Sequence, residues 1–172
     1  MTRTLLAWGS VLILLASLPC RAEDFVLEVV SPKFKVTLPG IPGMRMDVHP
    51  RNDSHPHMRL IGTEHPYAIA VFTPAAAAGM TPLECASATV RAFSARPGIP
   101  PPEEIYKARL NDRTLVAIYV TRENAVAHLH AHLMSAVAGT HCIEVHVTKA
   151  SLLDDEIDVW VNAFEQANID PG

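Results

Sequence analysis

Apolar residues alternate with polar ones over short runs along most of the chain. This period of two is typical of β-strands that bury one face, and Pro, Gly, Asn and Asp residues between the runs favour turns. The sequence therefore predicts strands at 25–30, 34–38, 44–48, 58–64, 67–73, 105–110, 114–120, 125–134 and 140–148.

A first helix is predicted to begin after Thr81. Thr81 can accept a backbone N–H bond, Pro82 fits the first helical position, and Glu84 can bond back to the residue that caps the helix. We expect this helix to end before Pro97-Gly98. Its predicted apolar face consists of Leu83, Ala86, Val90 and Phe93.

A second helix is predicted after Ser151, which would cap it. Asp154, Asp155 and Glu156 would lie in its first turn, where negative charge is favourable. The residues predicted to be buried recur at helical spacing and are Leu153, Ile157, Trp160, Val161 and Phe164.

The order of these elements predicts the fold class. Strands joined by short turns pair antiparallel, and amphipathic helices need a sheet face to cover. We therefore predict an α+β fold in which two helices cover an antiparallel sheet. A composition of 49% apolar and 19% charged residues argues against a disordered chain.

The first 22 residues resemble a secretory signal peptide, with Arg3, an apolar run from Leu5 to Leu18 and a cleavage site after Ala22. Residues 23–172 would then form a single domain. Loss of Arg3 and Arg21 leaves 12 basic and 18 acidic residues, a net charge of −6, which argues against nucleic acid as a partner. The mature chain contains no segment long and apolar enough to predict a transmembrane span.

Cysteine usage fits an oxidising compartment. Once the leader is removed, Cys85 and Cys142 are the remaining thiols, and in an exported chain they are expected to form a disulfide. Two buried free thiols are the alternative. A disulfide would place the first helix over the strand that contains Cys142.

The strand that runs into a proline-glycine turn, FKVTLPG, and the terminal strand and helix, CIEVHVTKASLLDDEIDVWVNAF, resemble the PsbP-like superfamily of exported proteins. The resemblance covers nearly the whole mature chain and implies an α/β/α sandwich. It also implies a non-enzymatic accessory, chaperone or partner-binding role. It assigns no functional residue.

Three histidines alternate with apolar residues in the run AVAHLHAHLM. In a strand, His128, His130 and His132 lie on one face, and neutral imidazoles there could bind Zn²⁺ or Cu²⁺.

A hairpin loop at 137–139 would place the following strand beside these histidines. His132 would then face Glu144, and His130 would face His146. The sequence thus predicts a copper or zinc site of His128, His130, His132 and His146, with Glu144 as a ligand or an orienting group. The alternative is a polar sheet face that binds no metal.

A second cluster surrounds the loop at 49–57 and contains His49, His55, His57 and Met58. Thioether and imidazole groups together suit copper. Met44 and Met46 alternate along a predicted strand, so core packing is the alternative for them.

The sequence shows no catalytic motif; His141 and Cys142, for example, would point to opposite faces of a strand. We therefore predict a non-catalytic periplasmic binding protein without a cofactor. It would act as an inhibitor or immunity-type partner of an envelope enzyme or toxin and use the loops His49–His57 and Pro97–Glu104. The alternative is a periplasmic copper or zinc binder built on the histidine strand.

Overall fold

The computed structural model describes residues 24–49, 55–123, 126–137, 140–150 and 156–170. The predicted signal peptide lies outside the described residues. The strands are β1 (Phe25–Val30), β2 (Lys33–Leu38), β3 (Asp47–Val48), β4 (Met58–Glu64), β5 (Tyr67–Phe72), β6 (Tyr106–Arg109), β7 (Leu115–Glu123), β8 (Val126–Val137), β9 (His141–Lys149) and β10 (Asn168–Asp170). The helices are α1 (Pro82–Ser94) and α2 (Ile157–Glu165).

The strands form two antiparallel sheets, which confirms the α+β class and corrects the prediction of one sheet. The larger sheet has seven strands in the order β3-β4-β5-β9-β8-β7-β6. A smaller sheet has the order β1-β2-β10. No run of alternating residues predicted β10, because it has only three residues and pairs with β2, far away in sequence.

The two faces of the large sheet are covered by different elements. One face packs its apolar side chains against the small sheet and Phe164 of α2, in a core that includes Leu129, Leu133 and Val145. The other face lies under α1, where Ala86 and Phe93 pack against Ala117, Tyr119 and Met134. The molecule is therefore layered, with the seven-stranded sheet in the middle.

Helix α1 begins as the sequence predicts. Thr81 accepts a bond from the Glu84 backbone N–H, and the Glu84 side chain accepts one from the Thr81 N–H at 2.8 Å. Ala86 and Phe93 of the predicted apolar face are buried and Val90 is half-buried. Leu83 is the exception with 61% exposure, and Cys85 is the buried residue of this turn instead.

Helix α2 begins at Ile157, and Glu156 is its N-cap residue without a side-chain capping bond. The prediction that Ser151 caps the helix, with Leu153, Asp154 and Asp155 following, falls outside the described residues. Phe164 is buried. Ile157, Trp160 and Val161 are half-buried against the core, so this part of the predicted stripe is confirmed.

The register of β8 and β9 differs from the predicted one by two residues. His132 lies opposite His146 instead of Glu144, and His130 lies opposite Thr148. The hairpin closes through the Thr140 N–H, which donates to the Val137 carbonyl at 2.9 Å. A shift of two residues keeps every side chain on its face, so the hydrophobic pattern could not distinguish the two registers.

The third predicted strand, 44–48, is reduced to the two residues of β3. Met44 and Met46 precede it and pack against the core. Gly62 of β4 allows this close approach, because a Cβ atom there would lie 2.8 Å from the Arg45 carbonyl oxygen.

A disulfide joins Cys85 of α1 to Cys142 of β9, as predicted. The two Cα atoms are 5.4 Å apart across 57 positions of sequence. The bond ties α1 to the face that carries the histidines. Within the described ranges, no helix has the length and apolar character required to cross a bilayer.

Candidate functional site

The alternating histidines of β8 lie on the sheet face beneath α1. His130, His132, His146 and Glu144 share this face, as the alternation predicts, and ring contacts or hydrogen bonds connect them. His128 lies on the same face opposite Thr121, and among the described residues it makes no ring contact or hydrogen bond with the other histidines. We call the connected set of His130, His132, His146 and Glu144 the histidine cluster.

His132 is held between two polar side chains. Its Nε2 lies 3.2 Å from the Tyr119 hydroxyl and its Nδ1 lies 2.8 Å from Oε1 of Glu144. Burial raises the pKa of Tyr119 to about 12, so the hydroxyl keeps its proton and donates it to Nε2. Nδ1 of His132 therefore carries the ring proton and donates to Glu144.

His130 and His146 form a second hydrogen-bonded chain. Nδ1 of His130 lies 3.1 Å from Nε2 of His146, and Nε2 of His130 lies 2.9 Å from the Thr121 hydroxyl. The Thr148 hydroxyl also reaches Nε2 of His146, at 3.3 Å. Both ring nitrogens of His130 thus have hydrogen-bond partners. In His146, both contacts are made by Nε2.

The aromatic rings of the site lie nearly parallel. Phe93 of α1 stacks on His132 with ring centroids 4.3 Å apart. His132 stacks on His146 at 4.1 Å with planes only 9° apart, and Tyr119 stacks on His130 at 4.8 Å. This packing fixes the ring orientations, because rotation of one ring would collide with the next.

Burial keeps the imidazoles of the cluster neutral. Loss of water, with a smaller effect from His128, lowers the pKa of His130 to about 4. Burial likewise lowers the pKa of His132 to about 3 and that of His146 well below its usual range. Burial raises the pKa of Glu144, so its contact with His132 is a hydrogen bond to a neutral ring.

A cavity of about 350 Å³ lies between α1 and this face of the sheet. Its floor includes His132, Glu144 and His146, and its α1 wall includes Ala88 and Ala92. We call it the histidine cavity. The Cys85–Cys142 disulfide also lines it, and Arg96, just after α1, stands at its edge.

Three polar groups of this cavity have hydrogen-bonding capacity left over. Within the described part of the chain, the Arg96 guanidinium, Nδ1 of His146 and Oε2 of Glu144 have no hydrogen-bond or ion-pair partner. The charge of Arg96 lowers the pKa values of His132, His146 and Glu144 through space, so the guanidinium lies within electrostatic range of all three. The site therefore offers unused donors and an unused acceptor to a ligand.

The structure divides the second predicted cluster. His55 and His57 line the mouth of the histidine cavity. His49 meets His55 edge-on at 6.2 Å, and Met58 is buried. The described ring contact joins His49 to His55, and the copper set of His49, His55, His57 and Met58 stays a prediction. Part of the loop, 50–54, lies outside the described residues.

In the predicted metal centre, Nδ1 of His130 and Nε2 of His146 approach each other, whereas the nitrogens of His132 face Tyr119 and Glu144, and the metal site stays a prediction. The lone pairs of two stacked rings point along parallel planes, and the nitrogens of His130 and His132 already bond to other side chains. Among the residues that the structure describes, no group of three or more His, Cys, Asp and Glu side chains is placed to hold a metal ion.

A second groove, of about 400 Å³, runs along the opposite side of α1 beside β6 and β7. Lys107 and Arg109 line it, but Lys107 donates to the Pro102 carbonyl and Arg109 pairs with Asp112 at 3.0 Å. Lys107 and Arg109 are thus engaged within the protein, whereas Arg91, which also lines this groove, has no hydrogen-bond or ion-pair partner for its guanidinium among the described residues. The histidine cavity has more unused polar groups and is the stronger candidate site.

Sequence reasoning missed Phe93, Tyr119, Thr121 and Arg96 as parts of the site. The β7–β8 hairpin pairs Glu123 with Val126 and thereby places Tyr119 opposite His130. A correct register for this hairpin would have identified Tyr119 and Thr121, since they follow the same alternation. No pattern in the sequence indicates Arg96.

No protein-family model matches the chain, and a search of curated proteins found no match. Among solved structures, the chain is similar to LpqN, which is involved in cell envelope biogenesis of Mycobacterium tuberculosis. The TM-score is 0.47 with 16% identity, over 87% of this chain and 91% of that chain. A likeness of this strength carries no argument about function. The PsbP-like resemblance stays a prediction.

Proposed function

We propose that this chain is an exported, non-catalytic binding protein whose ligand enters the histidine cavity. The observation that carries the proposal is a preformed cavity of about 350 Å³ bordered by unused hydrogen-bonding atoms, namely the Arg96 guanidinium, Nδ1 of His146 and Oε2 of Glu144. Small-molecule sites have volumes of roughly 300–1,000 Å³ and a few convergent polar groups among apolar walls. The disulfide supports export to an oxidising compartment such as the periplasm.

The hydrogen bonds favour binding over catalysis. Tyr119, His132 and Glu144 are aligned like an acid–base triad, at 3.2 Å and 2.8 Å. A nucleophile needs a base that takes its proton, but the pKa of His132 is lowered to about 3 and that of Tyr119 is raised to about 12. The proton therefore stays on the phenol, and the three groups brace the cavity floor.

An inhibitor or immunity-type role would be one form of this function. In that case the group that enters the cavity belongs to a protein of the envelope. The loop Pro97–Glu104, which begins beside Arg96, would extend the contact, because most of its residues are exposed.

Copper or zinc binding is the second candidate, and the neutral imidazoles of His130, His132 and His146 favour it. Metal binding would require the stacked rings to separate and exchange their mutual hydrogen bonds for metal ligands. Because that rearrangement opposes binding, the organic ligand is the leading candidate.

Three compounds of one shape but different charge test the function: benzoate, benzamide and benzamidine. At least one is expected to shift the NMR resonances of the His132 and His146 rings. Ala88→Trp, which fills the cavity, should abolish this shift. Ser87→Trp is the matched control, because Ser87 lines the opposite groove.

The proposed function is wrong if none of the three compounds shifts these resonances, or if Ala88→Trp binds as the native protein does. Stabilisation by Zn²⁺ in the absence of binding by all three compounds would instead support the metal candidate. Loss of binding in Ser87→Trp alone would place the ligand in the second groove.

A further inference from the structure

The charge distribution of the histidine cavity is uneven. Its three floor residues, His132, His146 and Glu144, are buried or half-buried, and burial favours the neutral forms of all three. Arg96 is exposed at the edge and keeps its positive charge. A ligand therefore meets the guanidinium at the entrance, and below it two neutral imidazoles and the carboxyl of Glu144, whose pKa is raised by burial.

We propose that the histidine cavity binds a small organic carboxylate, whose anionic group pairs with Arg96 and whose apolar body lies against α1. This inference rests on the proposed function and adds the chemical class of the ligand. A guanidinium presents two parallel N–H donors that match the two oxygens of a carboxylate. Within the described ranges, the guanidinium of Arg96 donates to no side chain of the protein.

The remaining lining fits the apolar part of such a ligand. Ala88, Ala92, Met80 and Phe72 form much of the wall, so the body of the ligand would meet methyl, thioether and aromatic surfaces. Nδ1 of His146 can donate to or accept from a second polar group, because its bonded nitrogen is Nε2. A purely polar anion would leave these walls without a partner.

The alternatives by charge are less favourable. A cationic ligand would face the guanidinium at the entrance, and the burial that raises the pKa of Glu144 disfavours the negative charge that could offset this repulsion. A phosphate dianion carries more negative charge than one guanidinium balances, and the described lining of the cavity contains no second arginine and no lysine beside Arg96. A carboxylate matches that single charge.

Titration of the full chain with benzoate, benzamide and inorganic phosphate tests the charge class. Benzoate is expected to bind roughly tenfold or more tightly than benzamide, as charge-assisted hydrogen bonds are the stronger kind. Its affinity should fall as salt is raised, because Arg96 is exposed. Phosphate should bind more weakly than benzoate, because it lacks an apolar body.

Three variants test the assigned residue. Arg96→Gln should weaken benzoate binding roughly tenfold or more and leave benzamide binding unchanged, while Arg96→Lys should be intermediate. Arg91→Gln is the matched control, since Arg91 is exposed in the last turn of α1, five positions before Arg96, and lines the opposite groove. It removes the same charge and should bind benzoate as the native protein does.

Equal affinity for benzoate and benzamide would overturn the carboxylate inference and leave the proposed function intact. Unchanged benzoate binding in Arg96→Gln, or an equal loss in Arg91→Gln, would also overturn it. Tighter binding of phosphate than of benzoate would show that the site recognises anions without an apolar body. Failure of every compound, benzamidine included, would contradict the proposed function itself.

Discussion

The two faces of strand β8 have the same backbone and opposite chemistry. On one face Leu129, Ala131 and Leu133 have 0% exposure and pack into the main core. On the other face His130 and His132 alternate with them under α1. Side chains of adjacent strand residues point to opposite faces, so one strand can build an apolar core and a polar site at once.

The difference shows that burial has different consequences on the two faces. On the apolar face, removal of water is itself stabilising. On the histidine face removal of water penalises charge, so the imidazoles stay neutral. Their ring nitrogens are hydrogen-bonded to Tyr119, Glu144 and Thr121. Such a face packs less completely, and α1 leaves a cavity above it.

Of the features tested here by mutation, the disulfide is expected to make the largest contribution to the free energy of unfolding. The variant Cys85→Ala/Cys142→Ala frees a loop of 57 positions and should lower the free energy of unfolding by about 4 kcal/mol in the loop-entropy model. Urea denaturation measures the loss. Dithiothreitol should destabilise the native protein by a similar amount and leave the variant unaffected.

Because the bond ties α1 to the histidine face, ring resonances of His132 and His146 should broaden in this variant more than methyl resonances of Leu129. Equal broadening on both faces would show that the disulfide supports the whole sheet and does not act on the histidine face alone.

Leu133→Ala tests the apolar face and should destabilise the protein by about 3 kcal/mol, because a fully buried leucine leaves a cavity. Ser135→Ala is the matched control on the same face of β8. The Ser135 hydroxyl is buried without a hydrogen-bond partner among the described residues, so its removal should cost no bond. Equilibrium denaturation measures the free energy of unfolding of both variants. Equal losses of stability would contradict the expectation that burial of Leu133 stabilises this face more than burial of Ser135.

Mild acid should weaken the histidine face. The pKa values of His130 and His132 are about 4 and about 3 in the folded protein, but the unfolded rings take up protons near pH 6.5. The unfolded state therefore binds more protons below that pH, and stability falls as pH falls. Each neutral histidine contributes a slope of at most about 1.4 kcal/mol per pH unit.

Glu144 acts in the opposite direction. Its pKa is raised on folding, so its contribution to stability is lost as pH rises through the folded pKa. Because one carboxyl opposes the three imidazoles of the cluster, the free energy of unfolding should still rise with pH. Denaturation at about pH 7, 6 and 5 measures it. His132→Gln should reduce the slope of stability against pH. Leu133→Ala is the control and should leave the slope unchanged, because it removes no titrating group. An unchanged slope in His132→Gln would show that other groups cause the pH dependence.

Local patterns were enough to predict most of the elements. Alternation located the strands, and the Thr81–Glu84 capping box located the start of α1. Two cysteines in an exported chain predict the disulfide, and the disulfide in turn predicts that α1 lies over the histidines. These features depend on neighbouring residues or on simple covalent chemistry.

Long-range contacts were harder to predict. The two-residue shift that brought His146, and not Glu144, opposite His132 preserves the faces, so no residue pattern opposed the wrong register. Strand β10 and the second sheet depend on pairing between distant segments. Arg96 reaches the site because α1 ends there over the sheet, and its sequence neighbours give no sign of this.

By itself, the sequence determined which residues share a face, where α1 begins and which cysteines can pair, because the two-residue period and the capping chemistry operate between near neighbours. The tertiary structure alone decided which partners the histidines bond to, with His130 next to His146 and His132 between Tyr119 and Glu144. It also decided that His55, His57 and Arg96 border the cavity above them. Those outcomes depend on strand register and on the placement of a helix across a sheet, and both are set by the sum of many distant contacts.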